Sequence, residues 1–204
     1  MTIPRDLVLE NTRVRPEPLD FRHAADLFAA GNDAEVWSKS FRGHQMPSLE
    51  ATLHYIGEAL YGNVTSPGGI PFAVIDKATH KAIGGTRYFD ISKAERRLEI
   101  GWTWLSRAYW RSHVNSACKL LLLAYAFEEA GFNRVQFKAD AENDRSRAAI
   151  VRIGATYEGT LREVRRFGDS TRSVSYYSIL AREWPAVKQR LAEAVGESPS
   201  HVSA

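Results

Sequence analysis

The sequence has only one cysteine, Cys118, and no apolar segment long enough to span a bilayer. A single cysteine excludes an intramolecular disulfide, which fits a reducing compartment and a buried, inert thiol. The first residues contain no apolar signal-peptide core, so we expect a cytoplasmic protein. The positive charge is also modest, with a net charge of +3 and a pI of about 9.0. This balance argues against a dedicated nucleic-acid-binding protein.

The remaining composition is that of an ordinary globular protein, with 204 residues of which 44% are hydrophobic and 25% are charged. A chain of this length can bury one full core. We find no internal repeat and no interdomain linker. The sequence therefore predicts one domain over residues 1–195, and the polar tail at 196–204 is expected to be disordered.

The most informative stretch runs from Leu98 to Gly131 and predicts a strand, a polar loop and a long apolar helix. The two-residue period of a strand predicts that its apolar residues share one face and that Glu99 and Thr103 point the other way. Those apolar residues are Leu98, Ile100, Trp102 and Trp104. The helix should cover Val114–Ala130, lie in the centre of the molecule and end at Gly131.

A strand followed by a loop and a helix start is a general anion-binding arrangement, because the first amide groups of the helix have no partner. Arg111 in the loop carries a guanidinium suited to phosphate. An ordinary connection with solvated arginines is the alternative, since the loop lacks the glycines of the strong phosphate motifs.

The other patterns predict a mixed α/β (α+β) fold. Strands are expected at 12–19, 70–76, 81–90, 95–105, 134–140, 156–166 and 171–180. Helices are expected at 20–30, 32–37, 48–61, 143–153 and 183–194. The Gly84-Gly85 pair predicts a bulge or a close backbone approach. Residues 38–47 are predicted to form a ligand-facing loop that contains Phe41, Arg42 and His44.

Short strings in a fixed order cover nearly all of the chain up to the last helix. They are Leu9–Arg15, Phe72–Ile75, Ile83–Arg87, Glu99–Trp102, Val114-Asn115 with Lys119–Leu122, Asn143 with Ser146 and Gly154, Glu158–Arg162, and Tyr177–Leu180. In this order the chain resembles the GNAT superfamily of acyl-CoA-dependent N-acetyltransferases, and most of all its RimJ/RimL-like branch. The resemblance implies a GNAT fold, whose mixed, mostly antiparallel sheet splays into a V between the Glu99 and Val135 strands and is flanked by helices.

The resemblance also implies acetyl-CoA as co-substrate. Its pantetheine arm would pair with the strand near Trp104 and Leu105 and contact Asn143. Its diphosphate would lie on the loop and helix start formed by Arg111, Ser112, His113, Val114, Asn115 and Ser116. The superfamily's usual loop has glycine at the positions of Arg111 and His113, so we expect the Arg111 charge to replace the close backbone approach that glycine gives. No histidine is spaced for a metal site, so no metal is expected.

Acetylation requires a neutral amine, so a base must remove a proton. Glu99 matches the position of the general base in several GNAT enzymes, and its apolar groove could raise its pKa. Glu158 is the rival, because it matches a glutamate of RimL-like enzymes. The resemblance implies that Ser146 protonates the leaving thiolate, although Asn143 and Ser146 could also be an N-cap and a first-turn residue. Tyr176 and Tyr177 are alternative acids, and packing residues otherwise.

The sequence is therefore interpreted as an enzyme that transfers acetyl from acetyl-CoA directly to a primary amine in a ternary complex. The expected acceptor is a protein N-terminus. The alternatives are a small-molecule amine, or a non-catalytic acyl-CoA-binding relative. RNA binding by the arginines of the last hairpin ranks last; they are Arg162, Arg165, Arg166 and Arg172. No membrane partner is expected, and exposed strand edges leave a homodimer open.

Overall fold

The computed structural model describes residues 3–39, 45–62 and 69–197. The predicted loop residues 40–44 and the end of the predicted tail, 198–204, lie outside these ranges. The elements are β1 (Val14–Pro18), a 3₁₀ turn (Phe21–His23), α1 (Ala24–Gly31), α2 (Ala34–Trp37), α3 (Leu49–Tyr61), β2 (Ile70–Asp76), β3 (Lys81–Ser92), β4 (Arg97–Leu105), a 3₁₀ turn (Arg107–Tyr109), α4 (Val114–Ala124), a π turn (Tyr125–Glu129), β5 (Arg134–Asp140), α5 (Asp144–Arg152), β6 (Thr156–Phe167), β7 (Ser170–Leu180) and α6 (Trp184–Val195).

The seven strands form one sheet in the order β1-β2-β3-β4-β5-β7-β6. All neighbours are antiparallel except β4 and β5, which run parallel. This pair is short, since it joins only Arg97–Glu99 to Arg134–Gln136. Beyond Glu99 the two strands no longer pair, so the sheet opens into a V. The predicted mixed, mostly antiparallel, splayed sheet with flanking helices is confirmed.

The two faces of the sheet bury separate apolar clusters. One surrounds α4, in which every residue except Asn115 is buried, as predicted for a covered central helix. The other lies under α1 and α3 and includes Leu27, Ile56 and Trp104. The helix that was predicted to run to Ala130 is α-helical only to Ala124 and ends in the π turn. No helix in the described ranges is long and apolar enough to cross a membrane.

The prediction that four apolar residues of β4 share one face is wrong, because β4 contains a bulge at Trp102. Register moves from Trp104 opposite Gly85 to Gly101 opposite Arg87, so two β4 residues face one residue of β3. Trp102 adopts a left-handed φ of 54°. The extra residue exchanges the two faces of the strand. Leu98 and Ile100 therefore pack in the α4 cluster, whereas Trp104 packs under α1 and α3.

Gly84 and Gly85 lie beside this bulge, as the sequence predicts. A Cβ atom at Gly84 would overlap the backbone carbonyl oxygen of Trp104. Register between β2 and β3 also shifts at this point, between Val74 and Ile75. The close backbone approach predicted from the glycine pair is thus confirmed, and it fixes β3 against the end of β4.

Candidate active site

A cavity of about 790 Å³ occupies the opening between β4 and β5. Its walls are the ends of these two strands and the starts of α4 and α5. Eight of the residues predicted for the site line it: Glu99, Trp104, Leu105, Arg111, Ser112, Asn115, Asn143 and Ser146. Residues that are far apart in the chain are therefore brought together where the sheet splays.

Glu99 lies at the apex of the V and is only 3% exposed. Its Oε2 atom lies 2.7 Å from Lys138 Nζ and accepts a hydrogen bond of 3.0 Å from Gln136 Nε2. Its Oε1 atom accepts no hydrogen bond from the described residues. Burial raises the pKa of the Glu99 carboxyl above its usual range, although Lys138 and Gln136 oppose this rise. The geometry leaves one oxygen of a relatively basic carboxylate for a ligand.

Lys138 and Gln136 were not identified from the sequence. They alternate with Arg134 along β5, so all three side chains share one face of the strand. This polar alternation was visible in the sequence. The parallel pairing of Glu99 with Gln136 was not, because it depends on contacts between distant segments.

Glu158, the second candidate base, lies on β6 and is not among the described residues that line the cavity. Arg134 binds both of its carboxylate oxygens, and Ser178 Oγ donates a hydrogen bond of 2.8 Å to Oε1. The hydrogen bonds from Arg134 lower the pKa of the Glu158 carboxyl. Glu158 is thus held as a charged partner of Arg134, whereas Glu99 keeps a free oxygen.

The start of α4 offers amide groups and positive charge to the cavity. Ser112 Oγ accepts a hydrogen bond of 3.3 Å from the Val114 amide, and His113 caps no amide with its side chain. Arg111 is exposed and adopts a left-handed φ of 59°, the conformation that glycine supplies without strain. His113, Val114 and Ser116 are not among the described lining residues, so their side chains do not form the cavity wall.

Trp104 and Leu105 form the end of β4, and their side chains are mostly buried. Trp104 Nε1 donates a hydrogen bond of 2.9 Å to Tyr55 Oη, and Leu105 O accepts one of 2.9 Å from Trp110 Nε1. The edge of β4 that faces β5 is unpaired after Glu99. Any pairing with a ligand on this wall must therefore use the backbone of β4.

On the opposite wall, Asn143 caps α5. Its Oδ1 accepts a hydrogen bond of 3.0 Å from the Ser146 amide, and its Nδ2 donates one of 2.9 Å to Lys39 O. Ser146 is half-buried, and its hydroxyl bonds to no described residue. The Arg145 guanidinium lies 3.8 Å from the centre of the Trp110 ring, so this stack connects the two walls. The N-cap role of Asn143 is confirmed, and Ser146 keeps its hydroxyl for a ligand.

Lys119 is a buried cation that the sequence did not single out. It projects from α4 into the wall, where its Nζ donates hydrogen bonds to Thr103 Oγ1 at 2.7 Å and Thr86 Oγ1 at 3.1 Å. Burial lowers the pKa of this amine. The hydrogen bonds tie α4 to β3 and β4 just beyond the bulge.

Nucleophilic and metal chemistry find little support in the described residues. Cys118 is buried, and its burial raises the pKa of the thiol, so the reactive thiolate is disfavoured. The described residues contain no group of three or more metal-ligating side chains. Of the arginine cluster on the last hairpin, Arg165 lines the cavity and Arg172 pairs with Asp140 and Glu142.

A mixed sheet that splays between parallel strands, with an unpaired strand edge facing a helix start, defines the class of GCN5-related N-acetyltransferases. The family model of the acetyltransferase (GNAT) domain matches residues 13–156. The chain belongs to this family of acyl-CoA-dependent acetyltransferases, as the resemblance predicts.

Individual relatives agree. The crystal structure of a GCN5-related N-acetyltransferase from Brucella melitensis superposes with a TM-score of 0.86 at 27% identity, covering 98% of this chain and 90% of that one. An acetyltransferase structure from T. thermophilus gives 0.82 at 34% identity, covering 95% and 98%. The Bacillus subtilis protein named "Putative ribosomal N-acetyltransferase YdaF" is 34% identical over 99 residues. That alignment spans 48% of this chain and 54% of the Bacillus protein.

Proposed function

We propose that this protein transfers an acetyl group from acetyl-CoA to a primary amine, and that the acceptor is the α-amino group of a protein N-terminus. The observation that carries the proposal is Glu99, a buried carboxylate with one free oxygen at the apex of the splayed sheet. The acceptor class is supported by the name of the Bacillus relative, which refers to ribosomal N-acetylation.

The cavity fits acetyl-CoA in its chemistry. The unpaired edge of β4 near Trp104 and Leu105 can pair with the amides of pantetheine. The start of α4 has no acidic residue in its first turn, and Arg111 adds a positive charge there, which suits a diphosphate. Arg111, Ser112 and Asn115 would hold the phosphate end, and Asn143 the pantetheine end. When bound, acetyl-CoA supplies an activated acetyl group.

The protein's own residues manage the protons. Glu99 Oε1 would accept a proton from the acceptor amine, because only a neutral nitrogen has the lone pair needed for attack. Its raised pKa makes it a stronger base than an exposed glutamate. Lys138 and Gln136 hold the other oxygen and so fix the orientation of the carboxylate. The Ser146 hydroxyl would return a proton to the leaving sulfur. No acyl-enzyme is required, and Cys118 is buried as an uncharged thiol.

The first test is binding. Acetyl-CoA at about a hundred times its dissociation constant should stabilise the native protein by about 2.7 kcal/mol. A thermal-shift measurement should show this stabilisation, and acetate or free phosphate should not reproduce it. The absence of both a shift and calorimetric heat would remove acetyl-CoA from the proposal.

The second test concerns the base. Glu99→Gln should lower turnover of an N-terminal peptide on the order of a hundredfold or more while acetyl-CoA affinity stays the same. The loss should shrink at high pH, where the acceptor amine deprotonates unaided. Glu158→Gln is the matched control and should keep most of its turnover. If Glu158→Gln is the inactive variant, Glu158 is the base instead. Acetylation of small amines but of no peptide would replace the proposed acceptor class.

A further inference from the structure

Arg87 is a buried arginine whose guanidinium forms no hydrogen bond and no ion pair with the described residues. It lies on β3, is 6% exposed, and its Nε atom is buried without a partner. The guanidinium stays charged in proteins, and a buried charge without a partner costs free energy. An arginine in this state is ready to bind an anion, since its forked donors match a carboxylate.

The surroundings of Arg87 stack on it without neutralising it. Its Cζ lies 4.4 Å from the centre of the Trp102 ring, and Trp102 lines the cavity. Tyr55 and Glu58 of α3 are the nearby groups of opposite potential. Burial raises the pKa of Tyr55, so its hydroxyl stays neutral, and Glu58 is exposed and pairs with His54. The arginine thus retains its charge and its donors.

The register of the sheet relates Arg87 to Glu99. Phe89 lies opposite Glu99, and Arg87 lies opposite Gly101, two residues further along β4. Residues that face each other across antiparallel strands share one face, so Arg87 and Glu99 project from the same side of the sheet. Two residues along a strand correspond to about 6.6 Å.

We propose that Arg87 is a specificity-determining residue that binds an acidic group of the acceptor while the acceptor's amine lies at Glu99. The inference rests on the proposed function and narrows the acceptor to peptides that carry Asp or Glu near their N-terminus. An extended peptide advances about 3.3 Å per residue. The acidic side chain therefore belongs at the second or third residue. The α-carboxylate of a free amino acid is too close to its own amine to span the two sites.

The experiment compares acceptors that differ only in charge. The peptides are C-terminally amidated tetrapeptides with Glu or Gln at the second or third position, and free serine and serine amide test the small-molecule source of the carboxylate. The wild-type protein should prefer the best Glu peptide over its Gln partner by at least about tenfold in kcat/KM. Free serine should show no such advantage over serine amide. Equal rates for all peptide pairs, or a preference for Gln, would overturn the proposal.

Variants separate an anion site from a structural role. Arg87→Met should abolish the Glu preference while its kcat/KM for the Gln peptide and its acetyl-CoA affinity change by less than about threefold. Arg87→Lys, which keeps the charge, should retain part of the preference and serves if Arg87→Met does not fold. The control is Arg97→Met, because Arg97 is a strand arginine paired with Asp90 and Glu95. A variant that slows both peptides equally would assign Arg87 to structure alone.

A binding measurement keeps the inference independent of turnover. With free CoA present, the N-acetylated Glu peptide should bind the wild-type protein at least about tenfold more tightly than the N-acetylated Gln peptide, and Arg87→Met should remove the difference. If acetyl-CoA binds and no amine is acetylated, the proposed function fails while this result still decides the anion site. Equal binding of both product peptides would refute the site.

Discussion

At the scale of single residues, Glu99 shows how this protein sets the chemistry of one carboxylate. Burial raises its pKa, and the Lys138 ammonium at 2.7 Å partly offsets that rise. The balance keeps Glu99 ionised near neutral pH and yet more basic than an exposed glutamate. Activity that depends on Glu99 as a base should therefore fall as the pH drops through this raised pKa.

Replacement of Lys138 tests this balance. Lys138→Met removes the cation that favours the charged carboxylate, so the pKa of Glu99 should rise further. The acidic limb of the kcat/KM profile should then move to higher pH, as measured by acetylation rates across a pH series. Lys77→Met is the control, because Lys77 pairs with Glu10 at the surface. A limb that stays in place or moves to lower pH would show that Glu99 does not carry the titration.

Arg111 combines backbone strain with a favourable charge. Its left-handed φ of 59° costs a non-glycine residue roughly 1–2 kcal/mol. Arg111→Gly should therefore raise the free energy of unfolding by about 1 kcal/mol relative to Arg111→Ala, as measured by urea denaturation. Both variants should bind acetyl-CoA at least tenfold more weakly, or about 1.4 kcal/mol, because both lose the charge. If Arg111→Gly binds as well as the parent, the charge does not compensate for the missing glycine.

At the scale of elements, local patterns predicted the strands and helices well but could not show the β4 bulge. The boundaries of α3, β2 and β5 agree with the sequence prediction, because each has a clear period and a turn or cap beside it. A bulge adds one residue without changing composition, so the strict two-residue period assigned Trp104 to the wrong face. The partners of Glu99, and Arg87 and Lys119, were missed because their contacts come from distant segments.

Two glycines make a matched pair for testing what holds β4 in place. Gly84→Ala should destabilise the protein by roughly 1–3 kcal/mol, since its Cβ would overlap the Trp104 carbonyl and β4 must move. The same shift should weaken acetyl-CoA binding. Gly57→Ala meets nothing within 4 Å in α3 and should stabilise by about 0.5–1 kcal/mol. Urea unfolding measures both effects. A neutral Gly84→Ala would mean that the contact with β4 yields easily.

At the scale of the whole molecule, β1–β4 and β5–β7 are two antiparallel sheets that share three parallel residue pairs. Helix α4 covers the joined sheet from one face. The cavity is therefore the gap between two units that are each well paired internally, and a ligand in it would complete the pairing of β4.

Hydrogen exchange should reveal this gap. Without ligand, we expect those amides of residues 100–105 that face β5 to exchange faster than the amides of residues 97–99. Saturating acetyl-CoA should slow the exchange of residues 100–105 most, because pantetheine would pair with this edge. Mass spectrometry of the exchanged protein measures both. Uniform protection across β4 without ligand, or none gained with it, would contradict the assignment of this edge.

The sheet order also has a consequence for synthesis on the ribosome. Strands β1 to β4 are neighbours in both sequence and space, so they can pair in the order in which they emerge. Strand β5 emerges later, and its outer neighbour β7 follows only after β6. Until β5 arrives, the nascent β4 exposes a long unpaired edge, and Glu99 lacks both Lys138 and Gln136. The base at the centre of the proposed chemistry is thus the last part of β4 to reach its final surroundings, and a pause in translation before β5 would prolong its exposure.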